Sequence, residues 1–187
     1  MITNESVVQE LERIDRRTID GLRAGDERSL REAQNEQRRT SPDSGTKVDL
    51  PPDVISIFKE DDKGIGVLAR KYEEEMANYV QSLADGGGSN KEEVKEKLKE
   101  FDEKALGDLN NVFEASRAKL ATAAAKHPEI KEEILKRREK ENEGVLNTMS
   151  ALIDAVGKVS PLTADAIKKV FEEKIKELDK FYKEYVY

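Results

Sequence analysis

Apolar residues recur every three or four positions along most of this chain, the spacing that gathers them on one face of an α-helix. One such stripe predicts a helix over about residues 66–84, and its members are Ile65, Leu68, Tyr72, Met76, Tyr79 and Leu83. The sequence Asp-Asp-Lys-Gly at 61–64 predicts a turn before this helix. Three consecutive glycines at 86–88 predict a flexible loop after it.

Three more stripes follow in the second half of the chain. Asn90 and Glu93 form a capping-box pattern at the start of a long helix. That helix is expected to end at His127, because a residue that precedes proline avoids the α region. The next helix is expected over 128–157, and Ser160 followed by proline predicts the start of the last one.

The stretch at 136–143 interrupts the stripe of its helix, because none of its residues is apolar. Either it projects beyond the neighbouring helices, or it forms a charged waist to which those helices contribute nothing apolar. No segment shows the alternation of apolar and polar residues that is typical of a β-strand. The pattern predicts an all-α fold, namely an antiparallel helical bundle of four main helices with an additional N-terminal amphipathic helix.

The first 46 residues differ from the rest in their basic residues, because they hold eight arginines and no lysine, whereas every lysine lies at position 47 or later. A stretch at 40–53 contains three prolines together with Gly and Ser, as linkers do. The sequence therefore predicts an Arg-rich amphipathic segment with its linker at 1–46 and the helical bundle at 47–187. The segment is either a unit with its own task, such as docking a partner, or part of one domain whose composition drifts.

The N-terminal segment has an apolar stripe of its own, formed by Val7, Leu11, Ile14 and Leu22. It predicts a short helix, followed after Gly25 by a polar helix that is frayed or exposed to solvent. If the segment is a separate unit, residues 1 to about 50 are dispensable for folding of the bundle. Whether it packs on the bundle is left open by the sequence.

Composition narrows the possible functions. Only 36% of the residues are hydrophobic and 5% aromatic, so the core is expected to be thin and built from aliphatic side chains. The net charge of −7 argues against nucleic acid as the partner, since phosphate binding requires a basic surface. No apolar run is long enough to span a membrane. We expect a soluble protein, either cytoplasmic or secreted with its signal removed.

Catalytic chemistry has few candidate residues here. The chain contains no cysteine and a single histidine, His127, which precedes a proline at a helix boundary. A di-metal bundle would need a Glu-x-x-His pair on each of two helices, and position 124 is Ala. The aspartates at 61 and 62 lack the alternating ligands of a calcium loop. We therefore expect no enzyme activity, no catalytic or metal-binding residues and no cofactor.

Two Lys-, Glu- and Ala-rich stretches, at 91–120 and 152–173, resemble the nematode fatty acid- and retinol-binding proteins. The resemblance covers about half of the chain and rests on composition and texture rather than on a defining motif. It implies a helix-rich, cysteine-free carrier with an internal apolar cavity, whose ligand is a fatty acid or a retinoid. The Arg-rich first 46 residues have no counterpart in that family, and no ligand-binding residue is carried over.

Two functions follow from the sequence. The first is a non-catalytic helical protein that acts through protein–protein interaction with an unidentified partner. The alternative is a small-lipid carrier, which requires an apolar cavity of several hundred cubic ångströms. The candidate residues for such a cavity or interface are the large side chains of the stripes: Leu68, Tyr72, Met76, Phe101, Leu109, Phe113, Ile153, Phe171, Leu178 and Tyr182.

Overall fold

The computed structural model describes residues 3–24, 27–40, 48–86 and 91–187, and these ranges are helical nearly throughout. No strand occurs within them, which confirms the all-α class. Within the described ranges there are six α-helices: α1 (Asn4–Ala24), α2 (Glu27–Thr40), α3 (Pro52–Asp85), α4 (Lys91–Lys126), α5 (Lys131–Lys158) and α6 (Ala164–Phe181). A 3₁₀ turn, Pro128–Ile130, precedes α5, and a π-helical turn, Tyr182–Val186, follows α6.

The predicted turn at 61–64 is wrong, because α3 runs through it without a break. Asp61 is buried there and binds a guanidinium from α5, so a residue that the sequence pattern assigns to a turn lies on the inner face of a helix. Gly64 packs against Val112 of α4. A single glycine costs a helix only about 1 kcal/mol relative to Ala, which the surrounding packing outweighs.

The predicted start of the last helix at Ser160 is also wrong. The N-cap of α6 is Thr163, whose hydroxyl accepts a hydrogen bond from the backbone N–H of Ala166 at 3.2 Å. The predicted end of α4 is confirmed, because that helix stops at Lys126, just before His127. The capping residue Asn90 lies outside the described residues.

Helices α3 to α6 form the bundle. The order of the contacts between α3 and α4 shows that they run antiparallel: Glu60 pairs with Lys119, whereas Glu75 pairs with Lys104. Helix α6 packs against α3 and α5, and it ends beside Gly144, at the middle of α5. Helices α4 and α5 have little direct contact with each other, because α1 lies between them.

Helix α1 is part of the core. Val7 and Leu11 have no exposed surface, and they belong to the same apolar cluster as Phe58, Phe113 and Leu146. Helix α2 packs against both α1 and α5. The predicted boundary at 46 lies outside the described residues. The packing of α1 in the core argues against a segment that folds independently of the bundle.

The burial of α1 leads to a first testable prediction. Leu11→Ala should lower the free energy of unfolding by about 2–5 kcal/mol, because it opens a cavity beneath a fully buried side chain. Urea unfolding followed by circular dichroism measures this loss. Val67→Ala is the control, since Val67 is 60% exposed on α3 and should change stability by no more than about 0.5 kcal/mol. Equal stability of the two variants would mean that residues 1–50 are dispensable for folding after all.

Candidate functional site: an apolar cavity beneath a buried ionic cluster

A cavity of about 530 Å³ lies in the half of the bundle that α1 does not reach. Helix α1 stops at Ala24, where Arg23 approaches Glu103 of α4 and Gly21 lies over Leu146 of α5. Beyond this level, no described element fills the space between α4 and α5. The cavity therefore exists because the helix that separates α4 from α5 covers only part of their length.

The cavity walls come from four helices and are almost wholly apolar. Helices α3 and α6 supply one side, α4 and α5 supply the two edges of the opening, and residues of the loop after α5 line the far end. The apolar side chains along its length include Leu68, Met76, Leu98, Phe101, Leu152, Val156, Phe171 and Ile175. The polar residues among the lining are few: Tyr72, Lys95, Asp102, Thr148 and Lys174. Such a surface suits a ligand that is mainly hydrocarbon.

One end of the cavity is closed by four buried aliphatic residues, one from each helix of the bundle. We call them the end layer: Ile65, Leu109, Val145 and Leu178. One helical turn farther along each of the same helices lies a second set of residues, namely Asp61, Phe113, Glu141 and Tyr182. Asp61, Phe113 and Glu141 contact the guanidinium of Arg138, and Tyr182 bonds Glu141, so the cavity ends against an ionic cluster.

Arg138 is fully buried, and all five of its N–H donors have acceptors. Nε and Nη2 donate to the two carboxylate oxygens of Asp15 on α1, at 2.7 and 3.1 Å. Nη1 donates to Asp61 on α3 at 2.8 Å and to Glu141 on α5 at 2.7 Å. Nη2 also donates to the backbone carbonyl of Phe113 on α4, whose ring centre lies 4.6 Å from the guanidinium. One side chain thus connects α1, α3, α4 and α5.

Three further hydrogen bonds extend the cluster, and in one of them the side-chain amide of Asn142 donates to Asp15 at 3.0 Å. Arg117 on α4 donates to Asp15 at 2.9 Å, and the hydroxyl of Tyr182 donates to Glu141 at 2.7 Å. Tyr182 has no exposed surface, so the chain that follows α6 is also fixed to the cluster. The polar stretch at 136–143 is therefore a charged waist inside the bundle and does not project from it. Its neighbours contribute carboxylates, which the sequence pattern did not show.

The cluster contains three carboxylates and two guanidiniums, so one carboxyl group lacks a compensating charge. Burial raises the pKa of Glu141 to about 8, because the lowering effect of Arg138 is smaller than the cost of desolvation. Burial also raises the pKa of Asp61. For Arg138, desolvation lowers the pKa, but its carboxylate partners outweigh it and hold the pKa well above the ordinary value. Glu141 in its protonated form leaves two carboxylates for two guanidiniums.

The ten candidate residues divide between these two sites. Eight of them line the cavity: Leu68, Tyr72, Met76, Phe101, Leu109, Ile153, Phe171 and Leu178. The other two, Phe113 and Tyr182, belong to the ionic cluster. The charged members of the cluster were not among the candidates. The interruption of the apolar stripe at 136–143 is a signal in the sequence for Arg138 and Glu141, and the other charged members have none.

The histidine lies near two carboxylates. His127 lies 3.6 Å from Asp53 and 3.7 Å from Glu129, and all three side chains are partly or largely exposed. Within the described part of the chain, no three His, Asp or Glu residues are grouped as metal ligands would be. None of the described helices combines the length and the apolar character that crossing a bilayer requires.

Comparison of the chain with models of protein families, with curated proteins and with solved structures gave no match.

The geometry of the cluster predicts a large effect of removing its cation. Arg138→Met keeps most of the side-chain volume but leaves buried Asp61 and Glu141 without their guanidinium and Asp15 with Arg117 alone, and it should cost about 3–5 kcal/mol of stability. Arg16→Met is the control, because that side chain is 68% exposed and pairs only with Glu12 on its own helix. The two variants are compared by urea unfolding at neutral pH. Similar losses in both would contradict the central role of Arg138.

The raised pKa of Glu141 predicts how stability depends on pH. The folded protein binds this proton more tightly than the unfolded chain does, so the contribution is complete below about pH 4.5 and is lost as the pH rises through about 8. Glu141→Gln imitates the protonated form, and its amide can still bond Arg138 and Tyr182. The variant should therefore gain stability relative to the wild type as the pH rises from 5 to 9.

Urea unfolding at several pH values measures this difference. Glu74→Gln serves as the control, because Glu74 is exposed on α3 and should follow the wild type at every pH. If Glu141→Gln loses stability relative to the wild type with rising pH, Glu141 is ionised in the folded protein.

Proposed function

We propose that this protein is a non-catalytic carrier of a small lipid, with the cavity as its binding site. The observation that carries the proposal is the cavity itself, since about 530 Å³ of space with a lining of Leu, Ile, Val, Met and Phe is what a carrier needs. A fatty acid or a retinoid has the required chemistry, because each combines a long apolar body with one polar end.

The width of the cavity favours a small molecule over a peptide. On α4 the lining extends from Leu109 to Val94, 15 positions that span about 22 Å at 1.5 Å per residue. The mean cross-section is then about 24 Å², whereas a helix of 10 Å diameter needs about 80 Å². A partner helix could therefore lie over the mouth of the cavity but could not enter it.

Protein–protein interaction has one observation in its favour. Helix α1 packs between α4 and α5, and the mouth of the cavity continues the same space beyond Ala24. Ile153 and Leu162 line this part of the cavity and remain 41% and 36% exposed. An amphipathic helix of a partner could cover these two side chains by extending the row that α1 begins.

A displacement experiment tests the proposed carrier. A fluorescent fatty acid that brightens in apolar surroundings should bind the wild-type protein and be released by unlabelled fatty acid or retinol. Ala105→Phe should weaken this binding at least tenfold, because Ala105 lines the cavity and the new ring would fill it. The probe should bind Ala118→Phe as it binds the wild type, since Ala118 is exposed on the same helix away from the cavity.

Two results would contradict the carrier. In the first, the wild-type protein fails to bind the probe. In the second, Ala105→Phe and Ala118→Phe bind it equally, so that binding occurs elsewhere on the surface. Melting curves of both variants establish that they are folded before binding is compared.

A further inference from the structure

We propose that the cavity measures the length of a single straight hydrocarbon chain, whose methyl end contacts the end layer formed by Ile65, Leu109, Val145 and Leu178. This inference rests on the proposed carrier function and specifies its ligand. It assigns a role in specificity to the end layer and to the ionic cluster behind it.

The length of the cavity sets the length of the chain. The lining on α5 extends from Val145 to Gly157, 12 positions or about 18 Å, and the lining on α4 spans about 22 Å. A C–C bond of about 1.5 Å advances an extended chain by about 1.25 Å per carbon, so these distances correspond to about 14–18 carbons. The cross-section of about 24 Å² leaves room for one chain beside the four helices, and not for two.

The closed end is a fixed limit because of what lies behind it. A methyl group that passed the end layer would meet Arg138 and its carboxylates. It would have to separate these buried ion pairs, and this costs much free energy because water cannot reach the separated charges. The end layer cannot shift readily either. Asp61 and Glu141 lie one turn from Ile65 and Val145, and both are held by the same guanidinium.

The other end of the cavity has different chemistry. Lys95 lies there on α4, near Val94 and the loop that contains Val159 and Leu162. The side chain of Lys95 is 61% exposed, and its ion pair with Glu92 is an exposed contact within one helix. The polar end of a lipid can remain near water at this position, whereas the end layer offers only hydrocarbon. The chain therefore enters with its methyl end first.

Displacement by saturated fatty acids of 10 to 22 carbons tests this inference, with the same fluorescent probe and with ligand concentrations below those at which micelles form. Affinity should rise about fourfold per added methylene while the chain still gains buried length. It should stop rising, or fall, at about 14–18 carbons, where the chain fills the distance between the two ends. A rise that continues to 22 carbons would overturn the inference.

Substitutions in the end layer should move the limit. Val145→Ala deepens the cavity and should raise the preferred length by about one to two carbons, and Val145→Leu should lower it by about one. Val67→Ala and Val67→Leu are the matched controls on the exposed face of α3, and both should keep the wild-type limit. If Val145→Leu does not fold, Val145→Ala alone decides the result.

The failures of the two proposals are distinguishable. If no fatty acid displaces the probe and the probe itself does not bind, the carrier function is wrong. If fatty acids bind but the limit stays the same in Val145→Ala, the carrier function stands and the role of the end layer is wrong.

Discussion

The buried guanidinium of Arg138 is the constraint on which the arrangement of the helices depends. Its donors are fully used by groups from α1, α3, α4 and α5, and Tyr182 joins through Glu141. A buried ion pair of this kind adds little net stability, because desolvation of the charges consumes most of the attraction. Its main physical consequence is that it fixes the positions of the helices relative to one another. Any shift of one helix along another would leave a charge buried without its partner.

This constraint divides the bundle into two unlike halves. On one side of the cluster, α1 lies between α4 and α5, and its apolar face closes the core with Leu11, Phe58 and Phe113. On the other side, α3 to α6 form a smaller cluster around Tyr72, Met76 and Phe171. The cavity lies along this second half, next to the point where α1 ends. A fixed half beside an open half is a suitable design for a protein that must admit and release a ligand.

The sequence predicted the parts of this fold that depend on local pattern. The stripes of α3, α4 and α5 and the end of α4 near His127 follow from helical periodicity and from proline. Eight of the ten large apolar side chains chosen from those stripes line the cavity, because residues on the inner faces of bundle helices necessarily converge. Periodicity could not show which of them pack against each other and which leave a space, since that depends on where α1 stops.

The ionic cluster could not be predicted for a different reason. Asp15, Asp61 and Arg138 are far apart in the sequence, and each resembles an ordinary surface charge in a chain that is 39% charged. The turn expected at 61–64 is an example. Asp61 lies inside a helix instead, where its carboxylate accepts a hydrogen bond from a guanidinium on α5 that the local sequence does not reveal. Charged residues on the inner face of a helix are recognised only when the helices that face them are known.

The composition of the chain limits how completely the core can be filled. With few aromatic residues and a thin supply of aliphatic ones, the four helices of the bundle leave open the space between α4 and α5 that α1 does not occupy. In the carrier proposed above, an apolar ligand would cover the walls of this cavity of about 530 Å³, and its binding would therefore stabilise the fold.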